Sequence, residues 1–293
     1  MDPDLLAERF EEHRGHLRAV AYRMLGSINE ADDAVQEAWL RLSRSDSDAV
    51  DNLGGWLTTV VGRVCLDMLR TRKSRREDSL DARLPDPIVS GERGVEPEQE
   101  AMIADSVGLA MLVVLEALTP AERIAFVLHD TFGVPFDEVA PIIGRTPVAT
   151  RKLASRARQR VRGVAPAPDG DLRSQRKVVD AFLAAARDGD FERLLAVLDP
   201  NIVLRADTGG ARTPGLREVR GAQAVANQAA TFARADGAGA SKRPVLVNGA
   251  IGVVALRDGK PYALHAYTVR GDRIVAIDVL ADPERLRALD IAD

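Results

Sequence analysis

Two stretches of the chain concentrate the side chains that hold a nucleic acid. Arg145 to Gly163 carries seven Lys/Arg and no acid, and Met68 to Arg76 carries five and none. Guanidinium and ammonium groups neutralise phosphates and release condensed counterions, so such runs give affinity for a phosphate backbone. The segment FDEVAPIIGRTPVATRKLASRARQRVR, Phe136 to Arg162, predicts a helix, a turn at Gly144, and a second helix with Thr146 as N-cap and Pro147 at its first position. This is the pattern of a helix-turn-helix, whose second helix enters the major groove and reads bases with its N-terminal half. Thr150, Ala154, Ala157 and Val161 recur at spacings of four, three and four and form the buried stripe. Arg151, Lys152 and Ser155 are left for base edges, and Arg145, Arg156 and Arg158 for phosphates.

The earlier basic run ends a helix predicted over Trp56 to Arg72, which packs through Leu57, Val60, Val61, Val64 and Met68. Its other side shows Thr59, Arg63 and Arg70, spaced by four and seven, and then Arg72, Lys73, Arg75 and Arg76. The hydroxyls of Thr58 and Thr59 and the polar loop Ser45 to Asn52 suit contacts with unstacked bases. The preceding helix, ADDAVQEAWLRL from Ala31 to Leu42, puts Ala34, Val35, Ala38, Trp39 and Leu42 on one side. Asp33, Gln36, Glu37 and Arg41 fall together on the other, an organised polar face that plain solvent exposure also explains.

The elements that position these residues are helical up to about residue 162. Helices are predicted over Leu5 to Leu25, Asn29 to Leu42, Trp56 to Arg72, Met102 to Leu118, Pro120 to Phe132, Phe136 to Ile143 and Pro147 to Val161. Glu77 to Glu100, with Pro85, Pro87 and Pro97 among many acids, reads as a linker, and Ala165 to Gly170 as a second. Beyond it, residues 174 to 198 predict two helices joined at Asp188 to Asp190. Strands follow at Ile202 to Arg205, Val245 to Val247, Ile251 to Leu256, Tyr262 to Val269 and Ile274 to Leu280, with turns at Asp258-Gly259 and Gly271-Asp272. Helices followed by an antiparallel meander make an α+β domain.

At 293 residues with 46% hydrophobic and 29% charged positions, the chain has the make-up of a soluble protein of two or three domains. The longest apolar stretch, Val107 to Leu115, is too short to span a bilayer, and the acidic start has no basic n-region, so the expectation is a cytoplasmic protein with no membrane partner. One cysteine, Cys65, and four scattered histidines offer neither a disulfide nor metal-ligand spacing, so no metal or cofactor is expected. Net charge is 40 minus 44, or −4, which argues against an indiscriminate nucleic-acid binder. Residues 1 to 165 hold 22 basic and 27 acidic side chains, so the two basic runs are placed on an acidic body.

These residues resemble the extracytoplasmic-function sigma factors of bacterial RNA polymerase. DAVQEAWLRL (Asp33 to Leu42) is similar to their core-binding helix, WLTTVVGRVCLDMLRTRKSRRE (Trp56 to Glu77) to their promoter-melting and −10-reading helix, and residues 112 to 162 to region 4. The resemblance implies two all-α sigma domains: region 2 over residues 1–76 and a region 4 helix-turn-helix over 109–164, joined by a linker over 77–108. It implies that Asp33, Gln36, Glu37 and Arg41 dock on the clamp helices of the polymerase's largest subunit, and that region 4 meets the flap of the second-largest. Thr58, Thr59, Arg63, Arg70 and Lys73 would meet the −10 element of promoter DNA, and Arg145, Thr146, Arg151, Lys152, Ser155, Arg156 and Arg158 the −35 element. Leu153 stands where many members have a second arginine.

The remainder, after a linker over 165–173, resembles a subgroup with a fused SnoaL-like regulatory domain, here 174–293. LPDP (Leu84, Pro85, Asp86, Pro87) is similar to that subgroup's linker motif, and the runs containing Asp207, Gly209 and Gly210, and Asp282 and Pro283, to its two C-terminal motifs. The implied domain is an α+β cone that regulates the factor in cis, with no separate anti-sigma protein required. Its candidate pocket groups are Tyr262, His265, Tyr267 and Asp278; alternation puts His265 and Tyr267 on one face, and an aspartate beside His265 would supply a general acid/base pair. No dense catalytic motif accompanies them, so the expected protein is not an enzyme, and a small-molecule ligand of the cone is an open alternative. A self-sufficient helix-turn-helix regulator with a ligand-sensing cone is the competing reading; it requires a dimer, for which no heptad is visible.

Overall fold

The computed structural model describes residues 3–45, 52–76, 83–91, 108–164, 171–209, 216–236 and 240–289. The chain divides into two compact units, one made of residues 1–79, 97–105 and 112–164 and the other of 80–96, 106–111 and 165–293.

The first unit is helical because its apolar residues recur at three and four. Helix α1 (Pro3–Leu25) buries Leu6, Phe10, Leu17, Val20, Ala21 and Met24 against α2 (Ile28–Leu42) and α3 (Leu53–Arg76). Gly26, at φ +70, makes the tight reversal between the first two. Trp39 is half-buried, with its ring 5.1 Å from that of Phe10. Next come α4 (Leu109–Glu116), α5 (Pro120–Phe126), a single π-helical segment (Val127–Thr131), α6 (Phe136–Ile143) and α7 (Pro147–Val164). The expected helix Met102 to Leu118 is described only from Leu109; residues 102–107 lie outside the described residues. The π segment is a departure from the single helix predicted over Pro120 to Phe132, and within it His129 stacks on Phe136 with ring centres 3.6 Å apart.

Helix α3 is held to the second helical group within this unit. Gly62 brings its backbone close to Ile142 and Leu128, where an added Cβ would sit 3.4 Å from each side chain. Arg72 is turned inward: it donates to the Leu25 carbonyl at 2.9 Å, to Glu116 at 3.3 Å and to Glu30. The Arg23 guanidinium, 2% exposed, lies 4.7 Å from the centre of the Phe132 ring.

The second unit is a curved seven-stranded sheet in the order β1-β4-β5-β6-β7-β2-β3, wrapped against helices. Helices α8 (Leu172–Asp188) and α9 (Phe191–Val197) lead into β2 (Leu198–Asp207), β3 (Leu216–Arg220), α10 (Ala222–Asp236), β4 (Ala240–Val247), β5 (Ala250–Arg257), β6 (Lys260–Arg270), β7 (Arg273–Leu280) and α11 (Pro283–Ala288). Val179, Phe182, Leu194, Ile202, Ile251, Tyr267 and Ile277 form its core. β4 to β7 are the expected antiparallel meander, with Asp258-Gly259 (φ +51 and +74) as a two-residue turn that needs left-handed backbone at both positions.

Three features depart from the sequence reading. β2 runs parallel to β7, with Arg205 opposite Asp278, so the sheet is mixed. β3 and α10 depart from that reading: β3 has no buried residue, and among its described side chains α10 fully buries only Val225 and Ala226, so neither carries a strong period. The stretch read as linker contributes a strand of its own, β1 (Val89–Ser90), paired antiparallel with β4 through Val89 opposite Val247.

Candidate functional site

The basic helix-turn-helix is built as its sequence dictates. Gly144 takes the left-handed conformation (φ 71, ψ 42) that ends α6, and the Arg145 N–H returns to the Ala140 carbonyl at 3.0 Å. Thr146 caps α7 by accepting from the Ala149 N–H at 3.3 Å. Thr150, Ala154, Ala157 and Val161 are all buried, which fixes the helix's rotation. Arg145, Thr146, Arg151, Lys152, Ser155 and Arg156 are exposed on the remaining surface, Arg151 with its guanidinium 5.3 Å from the Phe136 ring centre. Arg158 departs from the expected phosphate contact: its Nε lies 2.9 Å from Asp130, and the pair ties α7 to the π segment. Arg160 is similarly used, 2.7 Å from Glu122 at the start of α5.

That glutamate completes a capping box, in which Thr119 and Glu122 each satisfy the other's backbone N–H. Burial works against ionisation of Glu122, but hydrogen bonds from Thr119 and the Arg160 guanidinium outweigh it and hold the carboxyl below its ordinary value. A depressed carboxyl stabilises the fold above its unfolded pKa, and the contribution is lost as pH falls through the folded value. Acid unfolding of the helix-turn-helix should therefore begin below about pH 4.5, and Glu122→Gln should lower stability at pH 7 while flattening that acid limb. A circular-dichroism melt series from pH 7 to 3 reads both effects; an unchanged acid limb in the variant would remove Glu122 from this role.

On α3, Thr59 is half-buried and Arg63, Arg70 and Lys73 are exposed along one side, with Arg70 3.7 Å from Asp67. Thr58 does not join them. It is 6% exposed, and its hydroxyl donates to the Gly54 carbonyl at 2.8 Å, inside the helix's own ladder. Most of the loop between α2 and α3 expected at the −10 strand lies outside the described residues. On α2, Asp33, Gln36 and Arg41 are exposed and Glu37 is half-buried, with Glu37 and Arg41 paired at 2.9 Å. Leu40, 38% exposed, lies on the same face and was not singled out from the sequence.

In the second unit, the linker motif is seated on the cone by a charged cluster. Arg285 donates to Asp207 at 2.7 Å and to Asp86 at 2.8 Å, and the Leu84 N–H donates to the same Asp207 oxygen at 3.0 Å. Asp282 caps α11 by accepting from the Glu284 N–H at 2.9 Å, with Pro283 at the first position. Gly209, at φ +64, donates its N–H to Asp207, and a Cβ there would strike the Asp282 carboxylate. Pro85 and Pro87 are buried, and Ile88 exchanges hydrogen bonds with Asn248 at 2.8 and 3.1 Å. Gly210 lies outside the described residues. Sequence reading missed Arg285 and Asn248; an Asn-Gly pair at 248-249 is a turn signal that was available.

The acid/base pair sketched for the cone is not assembled. Asp278 stands opposite Ala266 on β6, so it shares that residue's face, while His265 and Tyr267 point to the other. Asp278 is 1% exposed and pairs with Arg205 at 2.7 Å; burial pushes its carboxyl above the usual range against the pull of that guanidinium. Tyr267 is 2% exposed, packs on Phe182 and meets His265 at 3.4 Å, and its phenol is pushed up by burial. Tyr262 lies under the Arg257 guanidinium at 4.6 Å. A half-open groove of about 590 Å³ does enter the cone, but it is lined by Val179, Leu183, Ile251 and Val253 with Arg176 and Lys242 at its rim, and by none of the four expected residues. Among the described residues no cluster of His, Cys, Asp or Glu could hold a metal, and no helix is long and apolar enough to cross a membrane.

A helix with an organised polar face, a basic helix and a separate basic helix-turn-helix follow one another in this order on one chain. Residues 9–75 match the family described as sigma-70 region 2 and residues 109–161 that described as sigma-70, region 4. The chain is 37% identical over 288 residues to ECF RNA polymerase sigma factor SigJ of Mycobacterium tuberculosis, covering 94% of this chain and 91% of that one. It is also 37% identical over 204 residues to the probable ECF sigma factor SigI of the same species, 70% of each chain. The crystal structure of SigJ matches with a TM-score of 0.75 at 33% identity, covering 98% of this chain and all of that one. The chain belongs to the ECF sigma factors, alternative factors that bind core RNA polymerase and promoter DNA, and its C-terminal unit is the mixed seven-stranded sheet packed with helices described above.

Proposed function

We propose that Asp33, Gln36, Glu37 and Arg41, with Leu40 among them, dock α2 on the clamp helices of the polymerase's largest subunit, and that region 4 rests on the flap of the second-largest. Thr59, Arg63, Arg70 and Lys73 face the −10 element, and Arg145, Thr146, Arg151, Lys152, Ser155 and Arg156 the −35 element. The observation that carries this reading is the exposed face of α7, cationic and free of acid, on a helix whose opposite stripe is fully buried. On an acidic chain such a face binds promoter DNA when polymerase presents it, and weakly alone. The domain limits follow: region 2 over 1–76, region 4 over 109–164, and the cone over 174–293.

The cone acts in cis on this machinery through the linker. Arg285 and Asp207 grip Leu84 and Asp86, so the state of the cone sets how far the linker can extend between regions 2 and 4. Regulation of this kind requires no separate anti-sigma protein, and the protein works in the cytoplasm, without catalysis.

Asp33→Lys combined with Glu37→Lys reverses two charges on an exposed face and leaves the buried stripe of α2 intact. It should reduce affinity for core polymerase by at least tenfold, measured by titration of fluorescently labelled full chain, while loss of the Glu37–Arg41 pair costs less than about 1 kcal/mol of stability. Undiminished affinity would move the docking face elsewhere.

A further inference from the structure

Val148 is 62% exposed, more than any other large apolar side chain among the described residues. It occupies the second position of α7, three and four residues before Arg151 and Lys152 and seven before Ser155. Those spacings place all four side chains on one face, opposite the buried stripe Thr150, Ala154, Ala157 and Val161. A β-branched apolar residue in that position contributes nothing to the core, and a polar side chain would be better solvated there.

In the major groove the one apolar group presented by a base edge is the C5-methyl of thymine. We infer that Val148 is a specificity-determining residue that packs its methyl groups on a thymine methyl in the −35 element; this rests on the assignment of α7 as the −35 reader. An α-helix rises 1.5 Å per residue and DNA about 3.4 Å per base pair, so Val148 lies about 5 Å along the axis from Arg151 and Lys152 and about 10 Å from Ser155. The thymine therefore falls within about two base pairs of the base read by Arg151, on the side away from that read by Ser155. Arg151 and Lys152 supply hydrogen bonds to acceptors, and Val148 supplies the apolar contact that separates T·A from the other pairs.

The test uses holoenzyme assembled from the full chain and bacterial core polymerase, incubated with duplexes randomised over the −35 segment. Wild type should enrich a thymine at one position beside the Arg151-dependent base. Replacing that thymine with deoxyuridine removes only the methyl and should weaken binding about three- to fivefold, the worth of one buried methyl group. Val148→Ala should abolish both the thymine preference and the deoxyuridine penalty while leaving the other enriched positions unchanged. Retention of either by Val148→Ala, or a wild-type selection with no enriched thymine, overturns the inference. Arg151→Ala separates this from failure of the parent reading: enriched positions that respond to Arg151 but not to Val148 remove the methyl contact alone, and a selection in which no position responds to Arg151 removes both.

Discussion

Arg205→Ala should destabilise the cone by about 3–5 kcal/mol, the usual cost of stranding one member of a buried ion pair. Arg205 and Asp278 are 5% and 1% exposed and sit opposite each other on the parallel pair β2 and β7, with Nε 2.7 Å from the carboxylate. Without the guanidinium, Asp278 keeps only the burial that already pushes its carboxyl up. A carboxyl raised above its unfolded pKa favours the fold at low pH and loses that advantage as pH rises, so the deficit of Arg205→Ala should grow from pH 5 to pH 8. The double variant Arg205→Met with Asp278→Leu replaces the pair by apolar side chains of similar bulk and should recover most of the loss. Both tryptophans lie in the first unit, so the readout is hydrogen exchange at β2, β6 and β7 amides. Unchanged protection in Arg205→Ala, or no recovery in the double variant, would contradict this account of the pair.

The second large effect concerns the linker. Arg285→Ala takes away the guanidinium paired with Asp207, a 2%-exposed carboxylate left with the N–H groups of Leu84 and Gly209. The expected loss is about 3 kcal/mol, so exchange of the Leu84 and Ile88 amides should accelerate roughly a hundredfold. Arg285→Lys keeps a charge but cannot bridge Asp207 and Asp86 together, and should fall between. Exchange rates that do not change in Arg285→Ala would show that the strand pairing of Val89 with Val247, not the charged cluster, holds the linker.

Legibility followed the strength of the local signal. Thr146, Pro147 and Gly144 are punctuation with a mechanism, and the stripe at Thr150, Ala154, Ala157 and Val161 is buried as its period requires. The β4 to β7 meander was readable because apolar runs of strand length and the turns at Asp258-Gly259 and Gly271-Asp272 agree. Thr58 and Arg158 share a limit of residue type: it says that a hydroxyl or guanidinium can touch DNA, but only the fold shows that one is bonded to Gly54 and the other to Asp130. Alternation along β6 grouped His265 with Tyr267, yet register with β7 was needed to place Asp278 on the opposite face. The seat of the linker depends on Arg285, which is 199 residues from Asp86, and no local pattern encodes a contact of that range.

Transcription from a pool of genomic fragments by purified core polymerase tests the central claim most directly. The full chain should yield specific transcripts. Asp33→Lys with Glu37→Lys should abolish them through loss of core binding, and Arg151→Glu with Lys152→Glu should abolish them with core binding intact. No specific transcript and no core binding by the wild-type chain, or sequence-specific binding of the free chain to duplex DNA at physiological salt, would contradict the account.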